Sequence, residues 1–161
     1  MTLVRPAEPR DAAALTALVQ EMHVLHATAL PDVFQSPAST ITSPDEVAEW
    51  ITSAGRVWLV AERDRTVVGY AHAEVQIEPP TAYKRASRTL HVHAIGVTAP
   101  LRGSGAGHAL LAALRVAAAE RALDGLTLEV YAFNAGARRF YEREGFTLLR
   151  ERLVAPVDPR A

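Results

Sequence analysis

The sequence contains no cysteine among its 161 residues. This absence excludes disulfide bonds, thiolate metal sites and a cysteine nucleophile, because each of these needs the cysteine sulfur. The sequence also lacks an apolar run long enough to cross a bilayer, and its first residues lack the apolar core of a secretion signal. We therefore expect a cytoplasmic protein that does not associate with a membrane.

An excess of charge of either sign is missing as well. The chain has 17 Lys and Arg residues against 18 Asp and Glu residues, which gives a formal net charge of -1. Nucleic-acid-binding domains usually carry a basic excess, so we expect no nucleic-acid partner. The length, together with 49% hydrophobic residues, predicts a single globular domain over residues 1–161 with an ordinary apolar core.

The hydrophobic periodicity predicts strands and helices in mixed order. Strands are expected at residues 3–5, 57–62, 66–76, 89–97, 126–131 and 146–149, and the last of these pairs with Leu153 and Val154. Helices are expected after Asp11, after the capping box at residues 43–46, after the glycine-rich turn that ends at Gly107, and from Asn134. This order predicts an α/β (α+β) fold, in which a central sheet is flanked by about four helices.

A glycine-rich turn headed by Arg102 joins the fourth strand to the next helix. Glycines at 103, 105 and 107 let backbone N–H groups and the positive end of the helix face one anion. The turn is not a P-loop, which needs Lys and then Ser or Thr where His108 and Ala109 stand, nor does it match the dinucleotide fingerprint. The sequence therefore predicts a different kind of pyrophosphate-binding turn.

The pattern Arg-x-x-Gly-x-Gly, at Arg102, Gly105 and Gly107, resembles the acyl-CoA pyrophosphate loop of the GNAT superfamily of N-acetyltransferases. A second block, at residues 134–146, matches the pattern Asn-x-x-Ala-x-x-Phe-Tyr-Glu-x-x-Gly-Phe of the same family. This resemblance covers nearly the whole chain. It implies a GNAT-like mixed, mostly antiparallel sheet with splayed fourth and fifth strands, acetyl-CoA as co-substrate, and no metal.

The resemblance also implies which residues bind coenzyme A. They are Ile95, Val97, Arg102, Gly103, Ser104, Gly105, Ala106, Gly107, Asn134 and Arg138. Ile95 and Val97 offer main-chain partners to the pantetheine arm at the splay, and a main-chain N–H near Val97 faces the thioester oxygen. Asn134 is also a candidate helix cap, and Arg138 is alternatively a solvated arginine on an exposed helix face.

Two histidines on the fourth strand are the candidates for the catalytic base. An amine must lose a proton before it attacks a thioester, and a neutral imidazole accepts that proton directly or through water. His91 and His93 are two residues apart, so we expect both to lie on the face shared by Ile95 and Val97. The run also resembles the paired histidines of arylalkylamine N-acetyltransferases, with His93 as the first choice. The alternatives are hydrogen-bonded strand histidines without a catalytic role, or a metal site, for which a following glutamate is missing.

Tyr141 resembles the family's tyrosine that donates a proton to the departing CoA thiolate, and the alternative is an aromatic residue packed beside Phe140. His72, His23 and His26 are expected to be ordinary surface or core-edge residues. The predicted function is acetyl transfer from acetyl-CoA to a primary amine by direct attack in a ternary complex. The acceptor is a small-molecule amine or a peptide or protein amine, and its pocket is expected from the loops at residues 27–42 and 79–88. A non-catalytic acyl-CoA-binding regulatory module is the alternative, and a homodimer is possible.

Overall fold

The computed structural model of this protein describes residues 2–37 and 42–155. The chain forms two compact units, the first ending at Glu129 and the second beginning at Val130. A single domain over residues 1–161 therefore stays a prediction. Among the described residues, the first unit holds every strand and three of the four α-helices, and the second unit holds the remaining helix.

Five strands lie side by side in chain order in one sheet. They are β1 (Leu3–Pro6), β2 (Arg56–Arg63), β3 (Thr66–Glu78), β4 (Ser87–Val97) and β5 (Gly125–Leu128). Neighbours from β1 to β4 are antiparallel, whereas β4 and β5 are parallel. The helices are α1 (Ala12–Ala29), α2 (Pro44–Thr52), α3 (Ala106–Glu120) and, in the second unit, α4 (Ala135–Arg143). The predicted mixed, mostly antiparallel sheet with about four helices is confirmed.

Local chemistry explains the turn between β2 and β3 and the start of α2. Asp64 and Arg65 both have positive φ, 51° and 63°, as the two central residues of a tight hairpin turn require. At the start of α2, the Glu46 N–H donates to the Ser43 Oγ at 3.2 Å, and the Ser43 N–H donates to the Glu46 carboxylate at 2.7 Å. The two strands form an antiparallel hairpin, and the predicted capping box is confirmed.

The first helix begins after Asp11 as predicted, but the Asp11 carboxylate does not cap it. Instead it accepts two hydrogen bonds from the Arg5 guanidinium, at 2.7 and 2.9 Å. It also accepts the Glu8 N–H at 2.8 Å. Asp11 is buried, and the Arg5 guanidinium lowers the pKa of its carboxyl group. This ion pair ties β1 to the start of α1.

The two faces of the sheet pack against different helices. On one face, the buried residues Leu15 and Val47 from α1 and α2 meet Trp58 and Tyr70 of the sheet. On the other face, α3 buries Leu110, Leu111 and Leu114 completely. Fully burying one such side chain contributes about 1.5 to 3 kcal/mol, so these helix faces account for much of the stability of the first unit.

Two boundary predictions near the end of the chain are wrong. β5 ends at Leu128 rather than at residue 131, and residues 146–149 form no strand with Leu153 and Val154 in the part of the chain that the structure describes. Leu149 and Leu153 are 88% and 91% exposed. A strand needs a neighbouring strand for its backbone groups, and the described part of the second unit offers only α4.

Candidate active site

The turn between β4 and α3 has the geometry of an anion cradle. Gly103 and Gly105 have φ values of +80° and +88°, a region that strains any residue with a Cβ. A Cβ added at either glycine would meet no atom within 4 Å, so open space lies beside them. Gly105 is the N-cap of α3, whose first turn leaves N–H groups without acceptors inside the helix. The predicted pyrophosphate-binding residues 103–107 therefore lie together at one helix start.

Within this turn, two side chains are oriented differently from each other. Ser104 is exposed, and its N–H already donates to the Leu101 carbonyl at 3.2 Å. Ala106 is only 1% exposed, so its methyl group packs inward. Ala106 therefore offers a ligand only its backbone N–H, as Gly107 does in the same turn.

The Arg102 side chain lies at the head of the turn and is already engaged. Its Nε donates to the Val97 carbonyl at 3.2 Å, and its Nη2 donates to the Glu21 carboxylate of α1 at 2.8 Å. Both partners of this ion pair are exposed, at 57% and 42%. Surface pairs of this kind contribute about 0 to 1 kcal/mol, so a phosphate would displace Glu21 at little cost.

Beyond its pairing with β5, β4 has no strand neighbour on that side among the described residues, and we call this stretch the open edge. The two strands pair only from Thr89 to Val92 on β4, and β4 continues to Val97. The Thr98 N–H donates to the Val68 carbonyl of β3, so by antiparallel alternation the backbone groups of Ile95 and Val97 point away from β3. This is the divergence expected of the fourth and fifth strands.

The prediction that His91 and His93 share a face with Ile95 and Val97 is wrong. A β-bulge at His93 shifts the β3–β4 register, because Val92 pairs with Ala73 whereas Ala94 pairs with His72. Beyond the bulge, the odd-numbered residues of β4 point to the opposite face of the sheet. An added Cβ on Gly69, the partner of Val97, would touch Leu110 of α3, so Val97 lies on the face that α3 covers. An added Cβ on Gly96 would touch Tyr70 and Met22, so Gly96 lies on the other face.

The histidines therefore lie on the face that α1 and α2 cover. His93 stacks on His72 with ring centroids 4.8 Å apart, and His91 meets His93 edge-on at 4.9 Å. His93 Nε2 lies 3.3 Å from the Glu74 carboxylate, and His91 Nδ1 lies 3.0 Å from the Thr127 hydroxyl. Each imidazole thus has a polar partner on a neighbouring strand. The His93 side chain is 38% exposed, so it is accessible to a substrate.

Beside this cluster is a cavity of about 370 Å³ that sequence reasoning missed. Its walls are the rings of Trp50, Trp58, Tyr70 and His72 together with Val19, Ala94 and Arg56. None of these residues comes from the loops at residues 27–42 and 79–88, which were expected to shape the acceptor pocket; of those loops, residues 38–41 lie outside the described part. The only trace of it in the sequence is Trp58 on β2 and the pair Tyr70 and His72, two residues apart, on β3.

Two buried polar atoms of the cavity walls have no hydrogen-bond partner among the described residues. They are Trp58 Nε1 and His72 Nε2. The rings stack with centroids 4.1 Å apart and planes 10° apart. Burial, followed by the effects of His93 and Arg56, lowers the pKa of His72 to about 4, so its imidazole is neutral at neutral pH. Leaving such groups unpaired costs about 1 to 3 kcal/mol each.

In the second unit, α4 carries the other predicted residues. The Asn134 side chain caps α4 by accepting the Ala137 N–H at 3.0 Å, which confirms its predicted role as a cap. Arg138 donates to the Glu142 carboxylate at 3.0 Å. The Tyr141 ring packs against Phe140 and Phe146, with centroids 5.1 and 5.6 Å away, and burial raises its pKa to about 12. Contact of Asn134 or Arg138 with CoA stays a prediction, as does proton donation by Tyr141.

Within residues 2–37 and 42–155, no three His, Cys, Asp or Glu side chains come together in a way that would hold a metal ion. None of the helices in this part of the chain has the length and apolar character that crossing a membrane requires. The sequence matches the Acetyltransferase (GNAT) family over residues 19–146.

The chain belongs to the GNAT family. It is 30% identical over 90 residues to the uncharacterized N-acetyltransferase YycN of Bacillus subtilis strain 168. That alignment covers 56% of this chain and 54% of YycN, so the match spans about half the length of this curated relative. Family membership supports acetyl transfer in general.

Solved structures share the GNAT fold. The BH1408 protein of Bacillus halodurans, in a tetramutant form, has a TM-score of 0.89 and 22% identity, covering 96% of this chain and 99% of that one. An aminoglycoside N-acetyltransferase, AAC(6')-Iy, in complex with CoA has a TM-score of 0.73 and 14% identity, with coverage of 99% and 95%. A ribosomal-protein-alanine N-acetyltransferase of Brucella melitensis biovar Abortus 2308 has a TM-score of 0.70 and 20% identity, covering 97% of this chain and 99% of that one. At these identities the likeness shows the fold alone.

Proposed function

We propose that this protein transfers the acetyl group of acetyl-CoA to a primary amine by direct attack in a ternary complex. One observation carries the proposal: the open edge of β4 is followed, after a single 3₁₀ turn at Ala99–Leu101, by the glycine cradle at the start of α3. An extended thioester can pair with the open edge of β4, and a pyrophosphate can bind the glycine cradle. The bulged His93 lies on the same strand, two residues before Ile95.

The cradle fits the diphosphate of coenzyme A for two physical reasons. Residues 103–107 offer backbone N–H groups and the positive end of a helix, both of which favour an anion. The space beside Gly103 and Gly105 leaves room for a bulky group close to the backbone. Arg102 would exchange its exposed partner Glu21 for a phosphate oxygen. Ile95 and Val97 would pair with the amides of the pantetheine arm.

In the reaction, the amine nitrogen forms a bond to the thioester carbonyl carbon, and the carbon–sulfur bond breaks. The amine proton passes to His93, directly or through water, with His91 as the second candidate. Negative charge on the carbonyl oxygen meets the main-chain N–H of Val97, which points away from β3. Tyr141, whose phenol stays protonated because its pKa is raised, is our candidate donor to the CoA sulfur.

The acceptor amine belongs, in this proposal, to a small molecule or to a peptide or protein. Relatives with the same fold are named for both kinds, an aminoglycoside and a ribosomal-protein alanine. The cavity beside His93 lies on the α1 and α2 face of the sheet, and the amine would approach from there.

The test is amine-dependent release of the CoA thiol, followed with a thiol-reactive dye. The protein has no cysteine, so the dye reports only the CoA thiol. We expect release when acetyl-CoA and a suitable amine are both present and almost none with acetyl-CoA alone. Tight acetyl-CoA binding without release over a broad panel of amines would contradict the proposal and favour the non-catalytic acyl-CoA-binding module.

A further inference from the structure

The cavity beside His93 has a charge pattern of its own. Arg56 is the only residue with a permanent charge among those that line it, and this arginine has no ion-pair partner in the part of the chain that the structure describes. Its positive charge reaches His72, whose pKa it helps to lower. A ligand of this cavity therefore gains from a negative group near Arg56.

A carboxylate lies on the strand next to Arg56. Arg56 of β2 pairs directly with Glu74 of β3, and directly paired residues have Cβ atoms about 4.5 to 5.5 Å apart. Glu74 contacts His93 at 3.3 Å. A positive side chain and a negative side chain are thus neighbours at the edge of the cavity, and the negative one touches the candidate base.

We propose that the acceptor is a free α-amino acid with an aromatic or large apolar side chain. Its carboxylate accepts hydrogen bonds from Arg56, and its amine lies at Glu74 and His93. This inference rests on the proposed acetyl transfer and names the substrate class of the same site. An amine and a carboxylate on one carbon match the close spacing of Glu74 and Arg56.

The walls of the cavity fit the side chain of such a substrate. Trp50, Trp58 and Tyr70 lie nearly parallel, with centroids 6.0 to 6.5 Å apart and planes 18° to 19° apart. Flat aromatic and aliphatic groups pack well against such ring faces. The volume of about 370 Å³ lies near the lower end of the roughly 300 to 1,000 Å³ typical of small-ligand pockets.

Two other acceptor classes fit less well. A polycationic amine gains little here, because the permanent charge of the lining residues is positive. A peptide N-terminus has an amide where the free amino acid has a carboxylate, so it would leave Arg56 without a negative partner. Both classes are included in the test.

The experiment compares matched acceptors in the thiol-release assay. L-phenylalanine is measured against 2-phenylethylamine, which lacks only the carboxylate, and against the dipeptide Phe-Gly and the polyamine spermidine. We expect kcat/KM for L-phenylalanine to exceed each of the others by roughly tenfold or more, as for the loss of a hydrogen bond to a charged group. In Arg56→Gln, the ratio of kcat/KM for L-phenylalanine to kcat/KM for 2-phenylethylamine should fall toward one. Arg63→Gln, at the other end of β2, is the control and should keep the parent ratio.

The possible results separate this inference from the proposed function. Faster turnover of 2-phenylethylamine, Phe-Gly or spermidine than of L-phenylalanine would overturn the amino-acid assignment and leave acetyl transfer standing. An Arg56→Gln variant with the parent ratio would overturn it as well. No release with any amine would instead contradict acetyl transfer itself.

Discussion

At the scale of single residues, the contacts of His93 explain why it is the better candidate for the base. Its ring lies between the ring of His72 and the edge of His91, and Glu74 lies within hydrogen-bond distance of Nε2. These contacts restrain the ring while leaving 38% of the side chain exposed. His91 instead contacts Thr127 on the neighbouring strand.

Replacing His93 with glutamine should slow turnover, because glutamine lacks the basic ring nitrogen that would accept the amine proton. Turnover should fall about 100-fold or more, the usual range for a lost general base. The measurement is kcat for both proteins at saturating acetyl-CoA and amine. The control is His23→Gln on α1, because the His23 Nε2 lies 3.0 Å from the Gln35 carbonyl and not at the candidate site. A His93→Gln variant with the parent kcat would contradict the role of this histidine as the base.

His72 should make the stability of the protein depend on pH. Its pKa falls from 6.5 to about 4 on folding, so between these values the unfolded chain binds more protons and stability falls as the pH is lowered. Below pH 4 this effect lowers the free energy of unfolding by on the order of 3 kcal/mol, and above pH 6.5 it does not lower it. Urea unfolding at pH 7, 6 and 5 should show this loss in the parent and much less of it in His72→Phe, which keeps a ring beside Trp58. Equal pH dependence in both proteins would contradict the assignment.

Tyr141 should affect turnover more than cofactor binding. Tyr141→Phe keeps the ring that packs against Phe140 and Phe146 but removes the hydroxyl, so we expect kcat to fall by about tenfold or more with little change in the KM for acetyl-CoA. Because the pKa is raised to about 12, the hydroxyl stays protonated and should cause no loss of rate at alkaline pH below that value. Full turnover in the variant would assign Tyr141 to packing alone.

At the scale of elements, the segment from β4 to α3 combines three backbone features: a bulge, an open edge and a glycine turn. The bulge places His93 and Ala94 on the sheet face that carries the cavity, and the open edge presents Ile95 and Val97. The turn then brings the start of α3 to the end of the strand. One continuous segment thus carries the residues that we propose as the base, the thioester contacts and the phosphate cradle.

Gly105→Val should weaken acetyl-CoA binding. Valine is strained at φ +88°, and its side chain would occupy the open space beside the cradle. We expect the KM for acetyl-CoA to rise by roughly tenfold or more, because each lost hydrogen bond to a charged group is worth about 1.5 to 3 kcal/mol.

Gly55→Val is the matched control for this change. Gly55 has φ +79° and similar open space, but it lies before β2, away from the cradle. The Gly55→Val variant should have comparable backbone strain but should keep the parent affinity for acetyl-CoA. Unchanged affinity in Gly105→Val, or an equal loss in both variants, would refute the assignment of the turn.

The elements that the sequence predicted correctly are those determined by local chemistry. The capping box at Ser43 and the glycine turn at Gly105 depend on residues within a few positions of each other. The bulge at His93 depends on the register between two strands, and alternation counted along one strand cannot reveal it. The missing strand at residues 146–149 depended on a neighbour that the apolar pattern does not specify. The cavity arises from three strands and two helices, so its aromatic residues were visible in the sequence only as core.

At the scale of the whole molecule, the sheet of the first unit separates two kinds of surface. The aromatic cavity and the histidines lie on the face covered by α1 and α2, whereas α3 packs on the other face and begins at the end of β4. An acceptor in the cavity and a cofactor along the open edge would therefore meet at β4. Direct transfer between two substrates bound at one strand needs no acyl-enzyme, which agrees with a chain that has no cysteine.

The most direct test of this account is a crystal structure of the protein with coenzyme A. We expect the diphosphate to lie within hydrogen-bond distance of backbone N–H groups in residues 103–108, with the pantetheine arm paired to Ile95 and Val97. Coenzyme A bound elsewhere, or a diphosphate that does not touch the start of α3, would contradict the assignment of residues 103–107 as its binding turn.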